Sequence, residues 1–135
     1  MKTIFVVDDD PEQAQLLAAA LASEGRRIRA FSDPIRALAA LVAEGADLVL
    51  ADLSMPWIDG TQVALAAREL RPSMALVLVS GYPRGADVAA QLGVPFFKKP
   101  IDLGQLRMAV DQLLEGELEF PGQGRPPYRT SEPGA

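Results

Sequence analysis

The chain has 135 residues, of which 49% are hydrophobic, and its formal net charge is -5. This length predicts one domain with a real core, and no apolar run approaches the ~20 residues that a membrane span needs. The net negative charge argues against sequence-independent binding to nucleic acid phosphates. Because the chain has neither histidine nor cysteine, it cannot itself supply disulfides, thiolate metal sites, serine-histidine triads or an autophosphorylated histidine.

The N-terminal stretch MKTIFVVDDD does not resemble a signal peptide. Its apolar run is short and ends in acids, whereas a signal peptide ends at a cleavage site of small residues. The absence of cysteine is also typical of proteins from a reducing compartment. We therefore expect a cytoplasmic protein.

Five short apolar runs predict the strands of a sheet: Thr3–Val7, Arg27–Phe31, Leu48–Asp52, Ala75–Ser80 and Val94–Lys98. The first, third and fourth runs are apolar on both faces, which is typical of central strands in a parallel sheet covered by helices. The second run alternates arginine with apolar residues, and this pattern predicts an edge strand that is half open to water.

A segment of helical character follows each run: Pro11 to about Ser23, Pro34 to about Gly45, Thr61–Leu70, Gly85–Leu92 and Asp102–Leu114. Prolines in the first turn, glycine or proline near the ends, and Asp102 as a plausible N-cap support these boundaries. Strict alternation of five strands with five helices predicts an α/β fold with right-handed crossovers.

The last twenty residues, 116–135, differ in character from the rest, because eight of them are glycine or proline and they show no periodicity. Such a composition cannot bury enough apolar surface to fold on its own. It predicts a Gly/Pro-rich disordered tail or linker that follows a single domain of residues 1–115.

Polar side chains stand where the predicted strands end. They are acids, a hydroxyl and two ammonium groups: Asp8, Asp9, Asp10, Asp52, Ser80, Lys98 and Lys99. Because the carboxyl ends of parallel strands meet at one edge of the sheet, where ligands of open α/β sheets bind, these side chains are expected to form a site.

Four motifs, in this order, resemble the receiver domain of two-component response regulators: VVDDDP, LVLADLSMPWIDG, LVLVSGY and FFKKP. The resemblance covers about Lys2 to Leu114. It implies a flavodoxin-like, doubly wound (βα)5 fold whose five-stranded parallel sheet has the strand order 2-1-3-4-5 known for this family.

The resemblance implies that Asp52 is the phosphoacceptor, a carboxylate nucleophile that forms an acyl phosphate. It also implies that Asp8, Asp9, Asp52 and the backbone carbonyl of Ser54 bind Mg²⁺, Asp9 most directly and Asp8 through water. The cation would neutralise the mutually repelling carboxylates behind the first strand. Asp10 is expected to lie outside the site, as a negative charge at the start of the first helix.

Lys99 matches the family lysine that pairs first with the acid and then with the phosphoryl group. The bond between Lys99 and the following proline is expected to be cis, and Lys98 is expected to face solvent. Ser80 matches the Ser/Thr switch of the family, and Phe96 stands at its switch aromatic position, where tyrosine is common. Phe97 is expected to pack in the core.

The function implied by the resemblance is that of a phosphorylatable receiver in a phosphorelay, not an enzyme with substrates of its own. A histidine kinase or histidine phosphotransfer protein would be the phosphodonor. A downstream protein target would read the output face of the fourth helix, fifth strand and fifth helix. Direct binding of nucleic acid or of a membrane is not expected.

Two alternatives remain open. A receiver-like module that only binds partners, without phosphorylation, would be expected to lack one of the acids or the lysine. A phosphatase of the haloacid dehalogenase type would use the spacing of Asp8 and Asp10. However, Glu12 stands where threonine or valine is expected in such an enzyme, and the chain has no room for a cap domain.

Overall fold

The computed structural model describes residues 1–53 and 60–116. Within them, five parallel strands form a sheet in the order β2-β1-β3-β4-β5. The strands are β1 Lys2–Val7, β2 Arg26–Phe31, β3 Leu48–Asp52, β4 Ala75–Ser80 and β5 Phe96–Lys98. The predicted strand order is confirmed, as is the edge position of β2 with its alternating arginines.

A helix follows each strand, as the sequence predicts. The helices are α1 Pro11–Leu21, α2 Pro34–Ala43, α3 Gly60–Leu70, α4 Arg84–Leu92 and α5 Leu103–Leu114. None of the described helices is long and apolar enough to cross a membrane. Ser54, Trp57 and nearly all of the predicted tail lie outside the described residues.

The helices cover both faces of the sheet and create two separate cores. One core lies between the sheet and α1 and α5, and its largest members are Ile4, Leu17, Leu21, Leu48, Leu50 and Leu106. The other lies under α2, α3 and α4 and includes Phe5, Val7, Leu41, Val49, Leu76 and Leu78. Because β1, β3 and β4 contribute to both cores, their sequences are apolar on both faces.

Aspartates cap three helices, but α4 begins differently. The side chains of Asp10, Asp33 and Asp102 accept hydrogen bonds from backbone N–H groups in the first turns of α1, α2 and α5. An N-cap of this kind satisfies a donor that the helix itself leaves unpaired. Pro83 precedes α4 and offers no side-chain hydrogen bond to it.

Three elements are shorter than the sequence predicts, and one of them is α2, which ends at Ala43 and not near Gly45. Helix α1 ends at Leu21, since the guanidinium groups of Arg26 and Arg107 donate hydrogen bonds to the carbonyl of Leu21 and to those of its two neighbours. Strand β5 begins at Phe96 and not at Val94, because the Val94 N–H closes the end of α4 by donating to a helix carbonyl. The next residue is a proline, which has no N–H for the sheet.

Candidate functional site

Three carboxylates meet at the carboxyl edge of the sheet. Asp8 follows β1, Asp52 ends the neighbouring strand β3, and Asp9 is the next residue after Asp8. One carboxylate oxygen of each lies within 4.8 Å of those of the other two. Asp8 and Asp52 are buried, with 0% and 2% of their surface exposed, whereas Asp9 is exposed. The structure therefore brings together the three acids that the sequence predicts to share a site.

The turn between β1 and α1 determines which acids enter the site. The backbone N–H of Asp10 donates to Oδ1 of Asp8 at 3.0 Å, which holds the Asp8 carboxylate inward. The side chain of Asp10 faces the other way and caps α1 by accepting from the N–H groups of Glu12 and Gln13. Asp10 thus lies outside the site, as predicted.

Burial raises the pKa of Asp8 above its ordinary value, and the negative charge of Asp52 adds to this rise. The hydrogen bond from the Asp10 N–H and the positive charge of Lys99 act in the opposite direction, but they do not cancel it. The fold therefore holds Asp8 in a place where its charged form is disfavoured. The one ammonium that Asp8 shares with Asp52 does not outweigh the cost of burying the Asp8 carboxylate.

Lys99 places one ammonium group between the two buried acids. Its Nζ lies 2.9 Å from Oδ2 of Asp52 and 3.2 Å from Oδ2 of Asp8. The bond to the next residue, Pro100, is cis as predicted, and Lys98 is exposed. Burial alone would lower the pKa of Lys99, but the hydrogen bonds and charges of the two aspartates outweigh it and raise that pKa.

The four side chains carry unequal charge. Three carboxylates and one ammonium leave two negative charges when all four groups are ionised. The donors are all hard oxygen atoms, two buried and one open to solvent, and this is the ligand set that Mg²⁺ prefers because it binds a few carboxylates and keeps several waters. The residues present therefore fit a divalent cation. Ser54, whose carbonyl is the fourth predicted ligand, lies outside the described residues.

Ser80 and Phe96 lie on β4 and β5, the two strands that follow β3 in the sheet. Ser80 ends β4 and is buried, and its Oγ accepts a hydrogen bond from the Tyr82 N–H at 3.0 Å. Phe96 begins β5 and packs, half-buried, against the core under α2, α3 and α4. Phe97 belongs to the opposite core, as predicted.

Two backbone groups that hold these side chains were not anticipated from the sequence. They are the N–H of Asp10, which binds Asp8, and the N–H of Tyr82, which binds Ser80. In both cases a side chain accepts from the residue two positions ahead. Asp and Ser side chains favour such turns ahead of a helix, so their positions just before α1 and α4 carried a usable signal.

Comparison with known proteins agrees with this geometry. The sequence profile described as "Response regulator receiver domain" matches residues 4–111. The transcriptional regulatory protein GlrR of Escherichia coli K12 is 34% identical over 115 residues, which cover 83% of this chain and 26% of GlrR. The response regulator receiver protein CpdR of Brucella abortus is 28% identical over 84% of this chain and 98% of its own length. The chain thus spans about a quarter of one relative and nearly all of the other.

A solved structure gives the same result for the fold. The receiver domain protein (CheY-like) from Methanospirillum hungatei superposes with a TM-score of 0.78 at 26% identity. The superposition covers 87% of this chain and 96% of that one. The strand order and the helices on both faces are therefore those of a known fold.

Proposed function

This chain belongs to the response regulator receiver domain family, and we propose that it is a phosphorylatable receiver that takes a phosphoryl group on Asp52. The observation that carries the proposal is the position of Asp52 at the end of β3. There its carboxylate is buried, lies 2.9 Å from the Lys99 ammonium, and is close to Asp8 and Asp9. As a receiver domain, the chain is not an enzyme with a turnover of its own.

The phosphodonor is a phosphohistidine on a partner, a histidine kinase or a histidine phosphotransfer protein, since this chain contains no histidine. An oxygen of Asp52 forms a bond to phosphorus while the phosphorus–nitrogen bond of the donor breaks. The bonding electrons return to the partner's imidazole. The product is an acyl phosphate on Asp52.

The other side chains of the site position and balance the charge. Asp8, Asp9 and Asp52, together with the Ser54 carbonyl, would hold Mg²⁺, which when bound neutralises negative charge on the carboxylates and on the phosphoryl oxygens. Lys99 supplies a fixed positive charge 2.9 Å from Asp52. A positioned charge in a partly dry site stabilises a transferring phosphoryl group more strongly than it would in water.

Phosphorylation is read out through Ser80 and Phe96. The Ser80 hydroxyl leaves the Tyr82 N–H and donates to a phosphoryl oxygen, and the Phe96 ring changes its position in response. The changed face, formed by α4, β5 and α5, is read by a downstream protein in the cytoplasm. The formal net charge of -5 supports a protein and not a nucleic acid as the direct target.

The phosphatase alternative is weakened by the position of Asp10. In that enzyme class the second acid of the motif has to reach the reacting group. Here the Asp10 carboxylate caps α1 instead, because it accepts from the N–H groups of Glu12 and Gln13. No feature of the described residues favours that chemistry over phosphoacceptance.

The proposal is tested by mass spectrometry of the whole chain after incubation with acetyl phosphate and Mg²⁺. We expect a gain of one phosphoryl group in the wild type and none in Asp52→Asn, which keeps the size of the side chain but removes the nucleophile. Labelling that persists in Asp52→Asn and maps to Asp8 would favour the phosphatase instead. A wild type that takes no phosphate from acetyl phosphate, phosphoramidate or a phosphohistidine donor would support the binding-only module.

A further inference from the structure

Gly85 is the second residue of α4, it is buried, and two functional side chains surround its Cα. A Cβ atom built on Gly85 would lie 2.6 Å from Cε1 and 2.9 Å from Cζ of Phe96, and 2.9 Å from Cβ of Ser80. Carbon atoms in contact are normally ~3.5–4.0 Å apart. The absence of a side chain at Gly85 therefore allows the Phe96 ring and Ser80 to approach the first turn of α4.

The backbone does not explain why this residue is glycine. The glycines with positive φ in the described residues are Gly25, Gly45, Gly93 and Gly116, and Gly85 is not among them. Inside a helix, glycine is less favourable than any other residue except proline. Helix propensity therefore does not favour a glycine in α4, whereas the packing against Phe96 and Ser80 leaves no room for a Cβ at this position.

We propose that Gly85 is a positioning residue of the switch: it lets the Phe96 ring lie against the first turn of α4, so that the ring position determines the position of α4. This inference rests on the proposed function, because it states how the phosphorylated site reaches the output face. The Ser80 Oγ–Tyr82 N–H hydrogen bond holds the same turn from its other side. Both contacts are given up together when Ser80 turns towards a phosphoryl group.

The first test uses the free protein and is independent of phosphorylation. In the wild type we expect nuclear Overhauser contacts between the ring protons of Phe96 and the α-protons of Gly85. Gly85→Ala should shift the Phe96 ring resonances, since the ring is the mobile partner and Ser80 is attached to a buried strand. Missing ring contacts in the wild type, or unchanged ring resonances in Gly85→Ala, would overturn the proposal.

A matched control exists in α5. Gly104 is also the second residue of its helix, but it is exposed and a Cβ there would meet its nearest atom, Oδ1 of Asp102, at 3.4 Å. Gly104→Ala therefore makes the same chemical change to a helix start without touching Phe96. Ring resonances that move equally in Gly104→Ala and Gly85→Ala would show that the effect comes from the helix and not from the contact.

The second test measures the coupling. With beryllofluoride and Mg²⁺ as the phosphoryl mimic, we expect the amide shifts of α4 to respond in the wild type and in Gly104→Ala. In Gly85→Ala the same response should fall at least ~4-fold, because the ring already lies away from the turn and has no further change to transmit. A response in Gly85→Ala equal to that of the wild type would overturn the proposal.

A double variant separates a lost contact from general damage to the fold. Phe96→Ala removes the two closest atoms but leaves Cβ of Ser80 at 2.9 Å, so adding Gly85→Ala to it should change the midpoint of urea unfolding less than Gly85→Ala does alone, provided that the ring is the main contact. If Gly85→Ala does not fold, recovery of the fold in the double variant supports the proposal, and failure to recover overturns it. A wild type that takes no phosphate on Asp52 would refute the proposed function. The ring contact and the double variant do not depend on phosphorylation, so they test the role of Gly85 separately.

Discussion

Acidic and basic side chains lie together at both ends of the parallel strands, the amino edge and the carboxyl edge, but the ratio of their charges differs. At the amino edge, Asp47 accepts from the Thr3 N–H at 2.8 Å and lies 3.5 Å from Arg71, whose other nitrogen donates to the Ala46 carbonyl at 2.8 Å. One acid there meets one cation, and both are partly exposed. At the carboxyl edge, three acids lie together, and one ammonium contacts the two that are buried.

The comparison indicates what each edge contributes. Paired and partly solvated charges stabilise a fold only modestly, and the Asp47–Arg71 pair mainly closes the loops before β3 and after α3. Two buried acids that share one ammonium oppose folding, because both charged forms lose water and only one positive charge is gained. A fold that keeps such a cluster gives up stability for a group of oxygen ligands that fits a divalent cation.

The largest expected effect tests Lys99, the lysine whose ammonium contacts the two buried acids. Lys99→Ala should slow phosphorylation of Asp52 by acetyl phosphate about 10²–10³-fold, the usual loss when a positioned electrostatic group is removed. Lys98→Ala is the matched control, since Lys98 is the adjacent lysine and is exposed, and it should change the rate less than about twofold. Phosphate incorporation is followed by mass spectrometry. Equal losses of the phosphorylation rate in the two variants would mean that the contact of Lys99 with Asp52 does not contribute to the rate.

The next effect distinguishes the acids of the site from the acid beside it. Asp9→Ala should weaken Mg²⁺ binding at least ~10-fold, whereas Asp10→Ala should change it less than about twofold. Titration of the fluorescence of Trp57, the only tryptophan of the chain, measures both. Asp10→Ala should instead lower the free energy of unfolding by about 1 kcal/mol through loss of the α1 cap. If the two variants lose Mg²⁺ affinity equally, the assignment of Asp9 to the site and of Asp10 to the helix cap is wrong.

The third prediction concerns stability at the carboxyl edge. Without Mg²⁺, Asp8→Asn should increase the free energy of unfolding by on the order of 1 kcal/mol, because it removes a buried charge beside Asp52. Stabilisation by added Mg²⁺ should be lost in the same variant. Urea unfolding with and without the cation measures both effects. A variant less stable than the wild type would show that Lys99 already compensates the Asp8 charge fully.

The same variant has a pH dependence whose sign follows from the raised pKa of Asp8. The folded state binds the Asp8 proton more tightly than the unfolded state does. Above the folded pKa, the buried charge of Asp8 therefore lowers the free energy of unfolding of the wild type. This loss of stability disappears as the pH falls through the folded pKa towards 3.8, the ordinary value. The stability difference between Asp8→Asn and the wild type should therefore shrink over that acid range. A constant difference would exclude Asp8 ionisation as its cause.

The smallest effect is expected at the balanced edge. Arg71→Ala should lower the free energy of unfolding by only about 0.5–1 kcal/mol, because it loses one hydrogen bond and one ion pair of an exposed side chain. Phosphorylation of Asp52 and the affinity for Mg²⁺ should stay at wild-type values, which the mass and fluorescence measurements check. A large loss of phosphorylation in this variant would show that the two edges are coupled through the sheet.

Much of the site was readable from the sequence because parallel strands bring their carboxyl ends to one edge. Asp8, Asp52 and Ser80 follow from that rule together with the apolar runs that precede them. The choice of Lys99 over Lys98 came from the family pattern, and the structure agrees because the ammonium of Lys99 reaches both buried acids. Local pattern and topology point to the same residues here.

The remaining features depend on contacts between distant parts of the chain. The end of α1 is determined by guanidinium groups from β2 and α5, and no local signal near Ser23 announces them. The local sequence around Gly85 predicts only the start of a helix, whereas the role proposed for Gly85 depends on the Phe96 ring of β5. Such features follow from tertiary packing, which overrides local propensity.

The missing cap of α4 has a consequence for local unfolding. A capping side chain contributes about 1 kcal/mol to a helix start, so the first turn of α4 should open to solvent more often than those of α1, α2 and α5, and its amide hydrogens should exchange sooner. Coupling energies between sites are typically about 1–3 kcal/mol. The change in the amide exchange rate of this one turn on phosphorylation would thus measure the coupling free energy between Asp52 and α4.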